Sequence, residues 1–259
     1  MSWSFITYEV VNRIATITLN RPDKRNALND GVVKELIAAF TEAGKDSAVK
    51  VIVLAANGEA FCVGADLEYL QQLQRNTYEE NLADSRQLME LMQLIYSHEK
   101  TVIARIEGHA IAGGCGLATV CDLSYAVPDA KFGYTEVKIG FVPALVSVFL
   151  VRKIGEGRAR ALMLTGKLIS AEQAVQMGLI NGVAAPGQIH DLVQQLAEDL
   201  CTGASANSLS LTKKLVANAL DLPMQQALEE AAKINALTRE HPDCREGIRA
   251  FLHKEKPGW

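Results

Sequence analysis

Apolar and polar residues alternate through FITYEVVNRIATITL at 5–19, the period-two pattern of half-buried strands, and the stretch reads as a β-hairpin. The pattern then switches to helical spacing in GVVKELIAAFTEAG, returns to β-rich runs in KVIVLAA and TVIARIEG, and so describes a sheet built with helical crossovers up to about residue 140. After about residue 145 strand signals vanish. The helical runs VSVFLVRKIGEGRARALMLTG, AEQAVQMGLI, IHDLVQQLAEDL, LSLTKKLVANAL and MQQALEEAAKINAL follow one another. Ser170 with Gln173 makes a capping-box start for the second of these, and Gly166, Gly178 and Gly203 fall where helices should stop. With no internal repeat, the pattern gives an α/β core followed by a helical C-terminal region.

Composition narrows the function. A chain of 259 residues with 49% hydrophobic content can bury a large core and suits one substantial domain, or a domain with an appendage. Its net charge of −4 opposes nucleic acid as a partner, and any anionic ligand must be held by local cations. The N-terminal stretch alternates like a strand and lacks the basic flank and continuous apolar run of a signal peptide, and no segment has the length of a membrane span. Five cysteines without a C-x-x-C pair fit reduced thiols of a cytoplasmic protein. His98, His109, His190, His241 and His253 show no metal-ligand spacing, so no metal is expected.

Two glycine-bearing stretches carry the candidate chemistry. FCVGAD at 61–66 follows one strand, and AIAGGCGLATVCD at 110–122 follows another and reads as the opening of a helix. The second is not a dinucleotide loop, because from Gly114 the G-x-G-x-x-G pattern reaches Gly116 and then Thr119. At a helix start the first amides lack intrahelical acceptors and lie at the positive end of the dipole, and glycine lets a ligand oxygen approach them. An amide near Gly113 paired with one near Ala65 would cradle a carbonyl that becomes an enolate. Either stretch taken alone reads better as a close-packing device between strand and helix.

Six ordered segments together resemble the crotonase (enoyl-CoA hydratase/isomerase) superfamily: LNRPDKRNALN at 19–29, GEAFCVGADL at 58–67, IEGHAIAGGCGLATVCDLSYA at 106–126, AKFGYTEVKIGFVP at 130–143, IGEGRARALMLTGKLISAEQAVQMGLINGV at 154–183, and the tail DCREGIRAFLHKEKPGW. The resemblance implies a repeated ββα core over 1–200, a C-terminal helical trimerisation region over 201–259, and assembly as a homotrimer or a dimer of trimers. It also implies an acyl-CoA substrate, coenzyme A being part of that substrate and not a separate cofactor. The oxyanion-hole amides would be those of Ala65 and Gly113. Val63, Gly64, Asp66, Leu67, Gly114, Gly116 and Pro143 would lie along the thioester, pantetheine and acyl chain, with Lys24 and Ala27 near the nucleotide end of CoA.

Many hydratases of this family carry two glutamates; here Glu136 stands at the position of the second and Gly116 at that of the first. Hydration needs a base for water and a proton for the α-carbon, jobs that one carboxylate can perform in turn. A lone Glu136 equally suits a Δ3,Δ2-enoyl-CoA isomerase, decarboxylation needs little beyond the oxyanion hole, and a scaffold that binds CoA or RNA without turnover is a reading from another class. The run TEVKIGFVPALVSVFLVRKIGE resembles bacterial enzymes assigned as methylglutaconyl-CoA hydratases of leucine breakdown. In that case Leu145, Val146 and Phe149 would line or back the acyl pocket, Ser147 would be its neutral polar group, and Lys138 and Arg152 are the nearest cations in sequence. His109 reads mainly as a packing residue and Asp122 as a structural carboxylate.

Overall fold

The structure, a computed structural model, describes residues 3–259. β1 (Ile6–Val11) pairs antiparallel with β2 (Ile14–Leu19) around Asn12 and Arg13, whose φ values of 48° and 69° supply the left-handed pair that a two-residue hairpin turn needs. A 3-10 turn at Pro22–Lys24 leads to α1 (Asp30–Lys45), which starts where the Asn29 side chain accepts a hydrogen bond from the Val32 amide. β3 (Val51–Ala56) and β4 (Ala60–Cys62) come next, followed by α2 (Leu67–Leu73) and α3 (Tyr78–Tyr96). The hydrophobic pattern does not announce these two helices: α2 buries no residue, and α3 buries only Leu91, Met92 and Ile95 near its end.

The third unit is β5 (Thr101–Ile106), β6 (His109–Ile111) and α4 (Gly113–Val120), and the fourth opens with β7 (Leu123–Ala126) and β8 (Lys131–Gly133) and passes through a 3-10 turn at Glu136–Ile139. The long helical run after residue 145 is two helices, α5 (Ala144–Ile154) and α6 (Glu156–Thr165), because Gly155 at φ 79° breaks it. Strands also persist beyond that point, as the two-residue β9 (Ile169–Ser170) and β10 (Gly182–Val183) on either side of α7 (Ala171–Met177). Gly166 and Gly178 end α6 and α7 in left-handed conformation, and Ser170 with Gln173 forms the capping box of α7. α8 (Pro186–Gly203) keeps Gly203 inside its last turn and is capped by Ala204. α9 (Ala206–Asn218), α10 (Met224–Glu240) and α11 (Pro242–His253) complete the chain.

The repeated ββα units distribute their strands over two sheets, β1-β2-β3-β5-β7-β10 and β4-β6-β8-β9. β2, β3, β5 and β7 run parallel, and α8 packs across all four. Covered on both faces, β3 reads as the continuous apolar run VIVLAA. In the smaller sheet β4, β6 and β8 are parallel, so the chain leaves β4 and β6 at the same edge. α4 starts at that edge and runs inward with Gly114 through Val120 all buried. Its C-terminal carbonyls at Thr119 and Cys121 both accept from the buried Lys153 Nζ at 2.9 Å, a cation placed at the negative end of the helix.

Candidate active site

The exits of β4 and β6 are locked to each other by close approach. Gly64 has φ +90°, and a Cβ there would come within 2.8 Å of the Ala112 Cβ. A Cβ on Gly114 would lie 2.1 Å from the Cys62 carbonyl oxygen, so this glycine lets α4 seat on β4. Leu28 bridges to the same loop: its N–H donates to the Gly64 carbonyl at 2.7 Å and its carbonyl accepts from the Asp66 N–H at 2.8 Å. In a parallel bridge the intervening N–H, that of Ala65, points away from Leu28.

Ala112 is strained in a way that serves the same point. It precedes α4 at φ 50° and ψ −123°, a conformation costing a non-glycine residue about 1–3 kcal/mol, and is held there by its N–H bond to the Gly133 carbonyl at 2.8 Å. The twist sets the direction of the Ala112–Gly113 peptide at the positive end of α4. Neither the Ala65 nor the Gly113 amide meets an acceptor among the described residues.

Both residues line a cavity of about 320 Å³ together with Glu136. Glu136 opens the 3-10 turn after β8, and that turn is anchored by the fully buried Tyr134, whose hydroxyl shares a 2.7 Å hydrogen bond with Thr119 of α4. The carboxylate Oε2 of Glu136 is buried without a donor among the described residues. Burial raises the Glu136 pKa above the usual carboxylate range, opposed in part by the residue's own amide. A half-desolvated carboxylate lining one cavity with two unpartnered amides has the chemistry to move a proton to and from a carbon next to a thioester carbonyl.

Among the residues expected at the site, Glu136, Ala65, Gly113, Val63, Leu67 and Pro143 line this cavity. The others stand outside its wall. Gly64 and Gly114 act through the close approaches just described. Asp66 is buried, caps α2 and pairs with Arg21 at 3.0 Å; Arg21 also donates to the carbonyl of the buried Ala27 at 2.8 Å. Lys24 is exposed and paired with Glu68 at 2.8 Å. Gly116 does not make room for a ligand, because a Cβ on it would lie 2.4 Å from Val146 Cγ1 and 2.9 Å from Met92 Cε. The space a side chain at 116 would fill is taken by Val146, delivered by α5.

Leu145 and Val146 join the cavity wall, whereas Phe149 packs at a tilt against Tyr96, ring centroids 5.1 Å apart, and the Ser147 hydroxyl donates back to the Ala144 carbonyl. Arg152 pairs with Asp221, Lys138 packs by Gly166, and neither lines the cavity. His109 is exposed, accepting from the Lys131 amide at 3.3 Å, and Asp122 binds the Val102 amide and Lys213. Sequence reasoning missed Ala112 and the face that α2 and α3 present to the cavity, including Tyr69 and Asp84.

A larger hollow of about 710 Å³ lies between the start of β5 and α9, lined in part by Lys50, Lys100 and Lys213. These ammonium groups are already committed: Lys50 to the carbonyls of Cys201 and Ala204, Lys100 to those of Ala43 and Asp46, and Lys213 to the Ile95 carbonyl and the Asp122 carboxylate. They cap helix ends, which leaves the smaller cavity as the candidate site.

The profile of the enoyl-CoA hydratase/isomerase family matches residues 9–259. A Thermus thermophilus relative assigned as an enoyl-CoA hydratase is 42% identical over 244 residues, covering 94% of this chain and 96% of its own. The crotonyl-CoA hydratase of Syntrophomonas wolfei is 31% identical over 258 residues, covering 99% and 98%. The crystal structure of an enoyl-CoA hydratase from Mycobacterium smegmatis superposes with a TM-score of 0.93 at 30% identity, covering 99% of each chain. Matched along nearly its whole length in sequence and in fold, the chain belongs to the crotonase, or enoyl-CoA hydratase/isomerase, superfamily.

Proposed function

We propose that this protein adds water to the α,β-double bond of an enoyl-CoA, with Glu136 as its single acid/base and the amides of Ala65 and Gly113 as the oxyanion hole. The observation that carries the reading is the buried, donor-free Glu136 oxygen in the same small cavity as the two unpartnered amides. Glu136 takes a proton from water as the water oxygen bonds to the β-carbon. The π electrons move toward the thioester oxygen, where the two amides stabilise the enolate. Protonated Glu136 then returns its proton to the α-carbon, so the elements of water are added and the carboxylate is regenerated. Lys24 and Arg25, on the exposed turn after Pro22, are the cations we assign to the phosphates of CoA. The exposed apolar residues of α9–α11, among them Leu228, Leu237 and Phe251, support assembly as a trimer or a dimer of trimers.

A second reading, Δ3,Δ2-enoyl-CoA isomerase, is favoured by one observation: Val146 fills the space where a second glutamate would stand. Incubation with crotonyl-CoA and with a 3-enoyl-CoA in doubly labelled water (²H₂¹⁸O) separates the two. Heavy oxygen in a product hydroxyl is the expected result, whereas deuterium at carbon alone would make the protein an isomerase. Crotonyl-CoA is a better first substrate than 3-methylglutaconyl-CoA, because no Lys, Arg or His lines the cavity, among the described residues, to receive the second carboxylate of that branched acid.

A further inference from the structure

The cavity wall contains a hydrogen-bonded tyrosine–aspartate pair that the hydration chemistry does not use. Tyr69 of α2 and Asp84 of α3 both line it, and the Tyr69 hydroxyl donates to Asp84 Oδ1. This bond ties the two helices together and fixes the carboxylate at the cavity instead of leaving it to swing into solvent. Burial, with the neighbouring carboxylate, raises the Tyr69 pKa, which keeps the phenol a donor and Asp84 the acceptor.

The electrostatic balance of the wall is one-sided. Glu136 and Asp84 are its two ionisable carboxyl groups, and the rest of the lining is largely apolar, as with Leu70, Leu73, Leu88 and Leu145. A cavity of about 320 Å³ accommodates an acyl chain and not the whole ligand, and a charge inside it shares that space with both carboxylates. Apolar walls weaken screening, so a second anion inside would be repelled more strongly than at the surface.

We infer that Asp84, held in place by Tyr69, is a specificity-determining residue that bars acyl chains ending in a carboxylate, so that the substrates are enoyl-CoA thioesters with an uncharged acyl chain. The inference deepens the proposed hydratase reading and rests on it for turnover, although the charge discrimination is also a property of binding alone. The apolar wall rewards a hydrocarbon terminus, and the fixed negative charge penalises the dicarboxylic analogue of equal length.

The test compares trans-2-hexenoyl-CoA with 2,3-dehydroadipyl-CoA, six-carbon acyl chains that differ in a terminal carboxylate. The wild-type protein is expected to favour hexenoyl-CoA in kcat/KM by about tenfold or more. Asp84→Asn should narrow that ratio by about the same factor, and Tyr69→Phe, which keeps the charge but releases it toward solvent, should narrow it less. Calorimetric titration with the saturated analogues hexanoyl-CoA and adipyl-CoA should give the same ordering of Kd. Comparable kcat/KM for both thioesters in the wild type, or an unchanged ratio in Asp84→Asn, overturns the role of Asp84. Should neither thioester be hydrated, the hydratase reading fails, while the ratio of the two Kd values still decides for or against charge exclusion without any variant having to fold.

Discussion

The backbone cradle at Ala65 and Gly113 and the side-chain wall from α2, α3 and the 139–146 stretch enclose one cavity, but they are built in opposite ways. In the cradle the main chain does the work: Gly64 and Ala112 hold positive φ, Gly114 lies against the Cys62 carbonyl, and a side chain added at Gly64 or Gly114 would collide. The wall consists of side chains, several half out in solvent, with Leu67 76%, Ile139 70% and Val142 66% exposed. Hydrogen bonds and steric contact on all sides leave the cradle one arrangement. Exposed apolar side chains can be exchanged for others of similar size at little cost. On the proposed hydratase reading, reaction type belongs to the cradle and choice of acyl chain to the wall.

The largest effect should come from disturbing the cradle. A Cβ at Gly113 would stand 3.2 Å from Leu28 Cδ1, a flexible tip that can yield, so the fold tolerates a side chain here better than at Gly114. Gly113→Val should nevertheless crowd the thioester oxygen away from its amide and cost about 3 kcal/mol of transition-state stabilisation, the usual value for one lost oxyanion donor. Steady-state kinetics on several acyl-CoAs should show a uniform fall in kcat. A fall confined to one acyl chain would place Gly113 in the wall and break the division.

Glu136 stands where cradle and wall meet, and its removal should come next in size. Glu136→Gln should lower kcat by about 10²-fold or more while leaving binding of a saturated acyl-CoA nearly unchanged. Because burial raises the Glu136 pKa, the acidic limb of the wild-type rate profile should lie above the ordinary glutamate value of 4.5. The same shift has a consequence for stability. A folded-state pKa above the unfolded one means that the folded protein binds the extra proton, so this contribution is present at low pH and is lost as pH rises through the folded value. Replacing the carboxylate by an amide removes that loss. Glu136→Gln should thus melt slightly higher than wild type at neutral pH, and an equal or lower Tm there would contradict the strained environment assigned to the carboxylate.

The same division explains what could be read without coordinates. The hairpin, α1, β3 and β5 each carry their full apolar period within the segment, so local sequence suffices to find them. The cradle was legible because close backbone approach leaves glycine as the residue that fits, and glycines at 64, 113 and 114 stand out in any sequence. The wall was not. α2 and α3 bury little of themselves, Gly155 splits what looks like one continuous helix, and Asp84 reads as a solvated helical charge until α2 brings Tyr69 to it. Gly116 was visible but misleading, since its reason is a valine thirty residues later in sequence that only the fold brings near.

That last pair offers a medium-sized test. Gly116→Ala should destabilise the protein by about 1–3 kcal/mol, because the new methyl overlaps Val146 and Met92 in a packed region. Val146→Ala opens the same space, so the double variant should be more stable than the sum of the single losses predicts. Chemical denaturation of the four proteins gives the coupling directly. Simple additivity would mean that Val146 does not occupy the position beside Gly116.

The smallest effect should come from the rim, at Lys24. Its ammonium group is exposed and pairs with Glu68 of α2, so the pair contributes little to folding and is open to competition from a more highly charged partner. The phosphates of CoA are such a partner, and each offers several acceptor oxygens. Lys24→Ala should raise KM for an acyl-CoA a few-fold at low ionic strength, leave kcat and Tm nearly unchanged, and lose its effect as added salt shortens the Debye length. Glu68→Ala should do the reverse, lowering KM by freeing the lysine. If the two variants shift KM in the same direction, or if the Lys24 effect survives high salt, the turn after Pro22 acts by shaping the start of α2 and so belongs with the wall, not with a separate site for the nucleotide.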